Sequence, residues 1–100
     1  MNIQQLMKQA QSMQSNMEKI ERELADKETS VSRQGISLTM NGNHELTSVL
    51  IEPQLLTQEN KEILEDLLLI TLNQLTKSIQ DERNEKLGSL TQGLNLPGLK

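Results

Sequence analysis

The sequence holds no cysteine and no phenylalanine, tyrosine or tryptophan, with one histidine and two prolines among its 100 residues. Each absence excludes something. Without cysteine the chain can form no disulfide, offer no thiolate nucleophile and supply no cysteine ligand to zinc. Without aromatic rings it has no platform on which unpaired bases could stack, so a nucleic-acid partner is expected to be double-stranded. A core without aromatics must be built from Leu, Ile, Val and Met alone, and only 34% of residues are hydrophobic. One hundred residues suit a single domain, 1–100, but one this poor in apolar volume usually gains stability from disulfides, a metal or self-association. The first two lack their ligands, and self-association remains. No basic excess exists either: the formal net charge is −4, so the chain is not a polycation that coats nucleic acid by charge alone. No run approaches the roughly 20 apolar residues of a membrane span. Residues 1–14 interrupt their apolar positions with glutamines, unlike an export signal. A soluble, cytoplasmic protein without a membrane partner is expected.

What is present is periodic. Ile3, Leu6, Ala10, Met13, Met17, Ile20 and Leu24 alternate steps of three and four, a heptad seam that predicts a helix over 1–27 with one narrow apolar stripe. From residue 29 to 52 the period becomes two. Ile36, Leu38 and Met40 alternate with Ser37, Thr39 and Asn41, which predicts a half-buried strand, with a weak edge strand around Val31 before it. Asn41-Gly42 supplies turn chemistry. In the next strand, from Glu45 to Ile51, Leu46 lies out of phase with Val49 and Ile51. One extra residue at Thr47-Ser48 would restore it to their face, so a β-bulge is expected there. Pro53 ends the strands. Thr57 is the expected N-cap of a second helix over 57–87, apolar almost all round from Ile63 to Leu72 and thinly striped beyond. Gly88 is expected to end it, leaving an irregular tail, 88–100, too rich in leucine to stay unpacked.

A long N-terminal helix, a short antiparallel meander, a long second helix and an irregular tail make an α+β chain. The two helices can pair antiparallel, with Leu24 and Ile63 beside the sheet and residues 1–8 together with Arg83 and Lys86 at the tip of an arm. The all-round apolar segment is expected to bury itself against its own copy through Leu64, Leu67, Leu68 and Ile70, giving a two-fold homodimer with projecting arms.

A search for catalytic groups returns nothing. His44 stands beside a turn without a nucleophile, Glu65 and Asp66 diverge by about 100° on a helix, and no glycine-rich phosphate loop is present. No enzyme, metal, cofactor or small-molecule substrate is expected. The residues suited to nucleic acid are cations and amides: Lys8, Lys19 and Arg22 on the first helix, and Lys77, Arg83 and Lys86 on the second. Ordinary solvated faces would look similar, because Glu18–Arg22, Glu23–Lys27 and Glu82–Lys86 are i, i+4 pairs that any exposed helix can carry.

The opening MNIQQLMKQAQSMQ, the segment SLTMNGNHELTSVLIEPQLL, Leu64-Glu65-Asp66-Leu67, Asn73 and the ending EKLGSLTQGLNLPGL resemble the YbaB/EbfC nucleoid-associated family from end to end. The resemblance implies a tweezer-like homodimer that binds double-stranded DNA and associates with the nucleoid, in organisation or gene regulation. It turns the six cations into candidate DNA contacts. Two departures stand out: relatives usually carry a glycine-rich stretch where this chain has Ser32-Arg33-Gln34-Gly35, and often carry lysines where it has Ser12, Ser15 and Asn16. The alternative class is a helix-hairpin-helix adaptor or prefoldin-like chaperone whose arms grip protein.

Overall fold

The computed structural model describes the backbone of residues 2–92 and the side chains through Ser89. Helix α1, Ile3–Asp26, starts where Asn2 turns its side-chain oxygen to accept from the Gln4 N–H at 3.1 Å, an N-cap that satisfies one of the free amide groups of the first turn. Strands β1 (Thr29–Arg33), β2 (Ile36–Met40) and β3 (Leu46–Ile51) follow as an antiparallel meander in the order β1-β2-β3. A 3-10 turn, Pro53–Leu55, leads into helix α2, Lys61–Gln92. The whole is long and thin, 70 × 25 × 13 Å.

The sheet follows its sequence pattern closely. Ile36, Leu38 and Met40 are buried on one face, while the other face carries hydroxyl pairs, Ser30 with Thr39 at 2.7 Å and Ser32 with Ser37 at 2.9 Å. The β1–β2 connection is as tight as a hairpin allows. Gln34 and Gly35 both take positive φ, 47° and 103°, the combination that matches the twist of a two-residue hairpin. Between β2 and β3 the register steps from Thr39 opposite Ser48 to Met40 opposite Leu46, leaving Thr47 as the extra residue of a bulge. Leu46, Val49 and Ile51 thereby face the same side as Met40, Leu38 and Ile36. Thr47 uses its freed position to donate from Oγ1 to Glu28 at 2.8 Å.

α2 lies across that apolar face. Leu75 and Ile79 pack with Leu38 and Met40, and Leu67 packs with Ile36 and Leu55, with Leu64 and Leu68 partly buried against the same core. The helix departs from expectation at both ends. It begins at Lys61, four residues after Thr57, because Leu55 must first reach the core. Thr57 caps the preceding turn, accepting from the Asn60 N–H at 3.2 Å, and the Asn60 carbonyl accepts the first helical bond from Leu64 at 2.9 Å. Gly88 does not end the helix, which runs to Gln92. A helical glycine costs only about 1 kcal/mol against alanine, too little to stop a helix by itself. Of the expected irregular tail, the residues from Gly93 onward lie outside the described residues.

Among the described residues, α1 is attached by its C-terminal end. Leu24 is its one buried residue, set in a small hollow with Gly42 and Ile79. The Gly42 N–H donates to the Ala25 carbonyl at 3.1 Å, and a Cβ on Gly42 would stand 1.6 Å from the Leu24 carbonyl oxygen. Close approach, not a left-handed backbone, is what requires glycine here. His44 takes the positive φ of that loop, 63°. Leu24, expected beside the sheet together with Ile63, meets the β2–β3 loop at Gly42 and α2 at Ile79. The sheet occupies α2 from Leu67 to Ile79, so the first helix can meet the second only at and beyond Ile79.

Candidate nucleic-acid interface

The first carboxylate in the chain is Glu18. Most of α1 therefore projects from its anchor at Leu24 without negative side chains; its exposed polar groups there are amides, hydroxyls and Lys8, beside the exposed apolar Ile3, Leu6, Met7 and Met17. At 100° per residue Lys8, Lys19 and Arg22 fall within about 60° of arc and span ~21 Å of helix. Gln4, Gln11 and Ser15 interleave with them on that side, and all six are exposed. Neither Lys8 nor Lys19 has an acidic partner among the described residues. Arg22 donates from Nε to the Glu18 carbonyl at a long 3.4 Å, which leaves its charge unneutralised. This stripe can offer three cations, flanked by amide and hydroxyl groups, to a row of phosphate oxygens.

The candidate cations of α2 have a different environment. Lys77 pairs with Asp81 at 2.9 Å, Arg83 with Glu21 at 3.0 Å, and Lys86 lies 3.9 Å from Glu82. Arg83 is not at the free tip of an arm; it holds α2 to α1 near the anchor, beside a second cross-helix pair between Lys27 and Glu82. Among the i, i+4 pairs expected from sequence, Glu82–Lys86 forms. Lys27 crosses to Glu82 instead of pairing with Glu23, and Arg22 meets a backbone carbonyl instead of the Glu18 carboxylate. Exposed pairs of this kind are worth only about 0.2–1 kcal/mol each, but a phosphate must still displace a carboxylate to use these cations.

The residues expected at a dimer core divide too. Leu67 is buried within its own chain, Leu64 and Leu68 are partly buried there, and Ile70 is half exposed. Ile63, Leu69 and Leu72 join Ile70 as exposed apolar side chains of α2, and Leu46 and Val49 remain 43% and 46% exposed although they lie on the apolar face of the sheet. α2 covers β1 and β2 but leaves that edge open. The role of Glu21 as the partner of Arg83 was hidden in the sequence, because the two are 62 positions apart and only the fold brings them together.

A profile of the YbaB/EbfC DNA-binding family matches residues 1–94. A nucleoid-associated protein of Clostridium novyi is 43% identical over 101 residues, covering 99% of this chain and 89% of the relative. One from Clostridium kluyveri is 41% identical over 98% of this chain and 88% of its own length, and one from Mycoplasmopsis pulmonis is 41% identical over 85% of each. An uncharacterised protein of Helicobacter pylori has the same fold, with a TM-score of 0.76 at 24% identity, over 91% of this chain and 98% of that one.

Proposed function

The chain belongs to the YbaB/EbfC DNA-binding family, and from that premise we propose that it is a nucleoid-associated protein of the cytoplasm that binds double-stranded DNA as a homodimer with α1 as its projecting arm. The family is described as DNA-binding, which supports a binding protein over an enzyme. The observation that carries the reading to particular residues is the stripe of Lys8, Lys19 and Arg22, without a carboxylate partner among the described residues, on a helix free of carboxylates up to Met17. Lys77, Arg83 and Lys86 contribute less, because each has a carboxylate beside it. Preference for duplex over single strand follows from the lack of aromatic rings. With few cations and no base-stacking group, most contacts go to the backbone, so sequence preference is weak.

Two copies carry 2 × (−4) = −8 formal charges, so the far field of the dimer repels DNA and does not steer it. At physiological ionic strength the Debye length is only about 8 Å, which screens distant carboxylates while a lysine touching a phosphate stays effective. The open flank between α2 and β3 supports self-association. Leu46 and Val49 on the sheet and Leu69, Ile70 and Leu72 on α2 all stay exposed, apolar side chains whose natural cover is a second copy of this chain. The whole of 1–100 then acts as one DNA-binding domain.

Duplex and single-stranded DNA of equal length, titrated at several salt concentrations, test this reading. Tighter duplex binding that weakens steeply with salt is expected, since neutralised phosphates release counterions. Salt-insensitive binding, or equal binding of single strands, would overturn it and favour a protein-binding adaptor. Sedimentation of the Leu69→Asp, Ile70→Asp variant addresses the dimer; an unaltered dimer would exclude this face.

A further inference from the structure

The β2–β3 loop carries the chain's one asparagine followed by glycine, Asn41-Gly42. Without a Cβ on the second residue, its backbone nitrogen meets little resistance in reaching the asparagine side-chain carbonyl carbon. Ring closure there expels ammonia and leaves a succinimide. Here the electrophile is already prepared. Oδ1 of Asn41 accepts from the Asn43 N–H at 2.9 Å and from the Glu45 N–H at 3.1 Å, which fixes the orientation of the amide because only its oxygen can accept. Two backbone donors on one carbonyl oxygen also stabilise the negative charge that the oxygen takes on when its carbon is attacked. The nitrogen that must leave, Nδ2, donates to Oε1 of Glu45 at 3.1 Å, beside a carboxylate able to relay a proton to it.

The nucleophile is what the fold withholds. The Gly42 N–H donates to the Ala25 carbonyl at 3.1 Å, and the backbone around it is pressed against α1, since a Cβ on Gly42 would stand 1.6 Å from the Leu24 oxygen. While the end of α1 is seated, the Gly42 nitrogen is engaged as a donor and has no room to turn toward the Asn41 side chain. The seat itself is small. Leu24 is the one buried residue of α1, flanked by two solvent-accessible cross-helix ion pairs, Glu21–Arg83 and Lys27–Glu82, and pairs of that kind hold weakly.

We propose that Asn41 is a deamidation site gated by the seating of α1. When the seat opens locally, short of global unfolding, the Gly42 N–H gives its proton to water or hydroxide, and the electron pair of the nitrogen forms a bond to Cγ of Asn41. The Cγ carbonyl electrons move to Oδ1, held by the two N–H donors, and return as the Cγ–Nδ2 bond breaks. Nδ2 takes up one proton, relayed through Glu45, and departs as ammonia. One water then opens the imide, giving aspartate at position 41 or isoaspartate, whose main chain is one carbon longer. Either product replaces a neutral amide by a carboxylate and takes the formal charge of the chain from −4 to −4 − 1 = −5. The new carboxylate faces Glu45 where an N–H donor stood, a like-charge contact, and the longer main chain of isoaspartate displaces Gly42 from a seat with no spare room. Modification therefore unseats α1 and does not reverse by itself, so the loop records how long the helix has been open. None of this depends on what α1 binds.

Incubation of the full-length protein at mildly alkaline pH, followed by peptide-mapping mass spectrometry and ion-exchange chromatography, tests this. Asn41 in the folded wild type should deamidate at least about tenfold more slowly than in the same chain unfolded in urea. Leu24→Ala, which empties the seat, should remove most of that protection, with amide exchange at Gly42 accelerating in parallel. Should that variant fail to fold, Glu21→Ala with Lys27→Ala removes only the two ion pairs and should speed both deamidation and Gly42 exchange by about two- to tenfold. Asn41→Asp, and the modified fractions collected by ion exchange, should show faster Gly42 exchange and an α1 open to protease. Deamidation in the folded wild type as fast as in urea would overturn the proposal, as would fast Gly42 exchange in a folded variant whose Asn41 stays as slow as in wild type. Unchanged Gly42 exchange after modification would overturn the release of α1.

Discussion

Neutralising the α1 stripe should abolish most of the salt dependence of DNA binding, while neutralising the α2 cations should leave it nearly intact. The perturbation is the triple variant Lys8→Gln, Lys19→Gln, Arg22→Gln, set against Lys77→Gln, Arg83→Gln, Lys86→Gln. The structure provides the magnitude. Each α1 offers three cations without an acidic partner among the described residues, so two arms engaged on one duplex neutralise up to about six phosphates. With a slope of roughly −0.9 per phosphate, log affinity should then fall against log salt at about −5.4, a loss of ~2000-fold between 50 and 200 mM salt. The α1 triple variant should bring the slope close to zero. The α2 variant should change it by no more than about 1, because Lys77, Arg83 and Lys86 begin with carboxylates 2.9, 3.0 and 3.9 Å away. Fluorescence anisotropy of one labelled duplex at 50, 100 and 200 mM salt measures both slopes, with circular dichroism and sedimentation confirming that each variant keeps its fold and assembly. A flat slope in the α2 variant beside an intact slope in the α1 variant would refute the assignment of α1 as the contacting face.

Three further outcomes concern the scaffold. Leu75→Ala should lower unfolding free energy by roughly 2–5 kcal/mol, because Leu75 is fully enclosed by Leu38, Met40 and Ile79; a loss under 1 kcal/mol in urea denaturation would show that this cluster is not the centre of the core. Gly42→Ala should cost about 3 kcal/mol or more, since its Cβ would stand 1.6 Å from the Leu24 oxygen. It should also open α1 to proteolysis, and a wild-type melting temperature with an uncut α1 would contradict the described anchor. Thr71→Val should stabilise the protein by about 1 kcal/mol, because the Thr71 hydroxyl is fully buried without a hydrogen-bond partner among the described residues. Destabilisation by a similar amount in chemical denaturation would mean that this hydroxyl is satisfied in solution.

Periodicity made the elements legible, since a seven-residue and a two-residue repeat place side chains on faces whatever the rest of the chain does. Even the bulge could be read, because Leu46 breaks parity and only one inserted residue repairs it. Element ends were less legible. Thr57 has the chemistry of an N-cap, but the need to bury Leu55 delays the helix to Lys61. Gly88 carries an intrinsic penalty, but the helix continues through it to Gln92.

The candidate site shows the same division. The sequence by itself determined the α+β order, the family, and an α1 free of carboxylates up to Met17 with cations recurring on one side, all of which are local properties of a helical or pleated repeat. It could not say which cations are free. Arg83 and Glu21 are far apart in the chain, and Lys27 chooses Glu82 over Glu23, choices set by where the helices cross. That crossing is fixed by the sheet, which occupies α2 as far as Ile79 and leaves Leu24 only the position beyond it. Only the tertiary structure therefore decided that the α2 cations act as cross-helix and surface ion pairs while Lys8, Lys19 and Arg22 stay unneutralised, because charge pairing depends on distances of a few ångströms that no local pattern encodes.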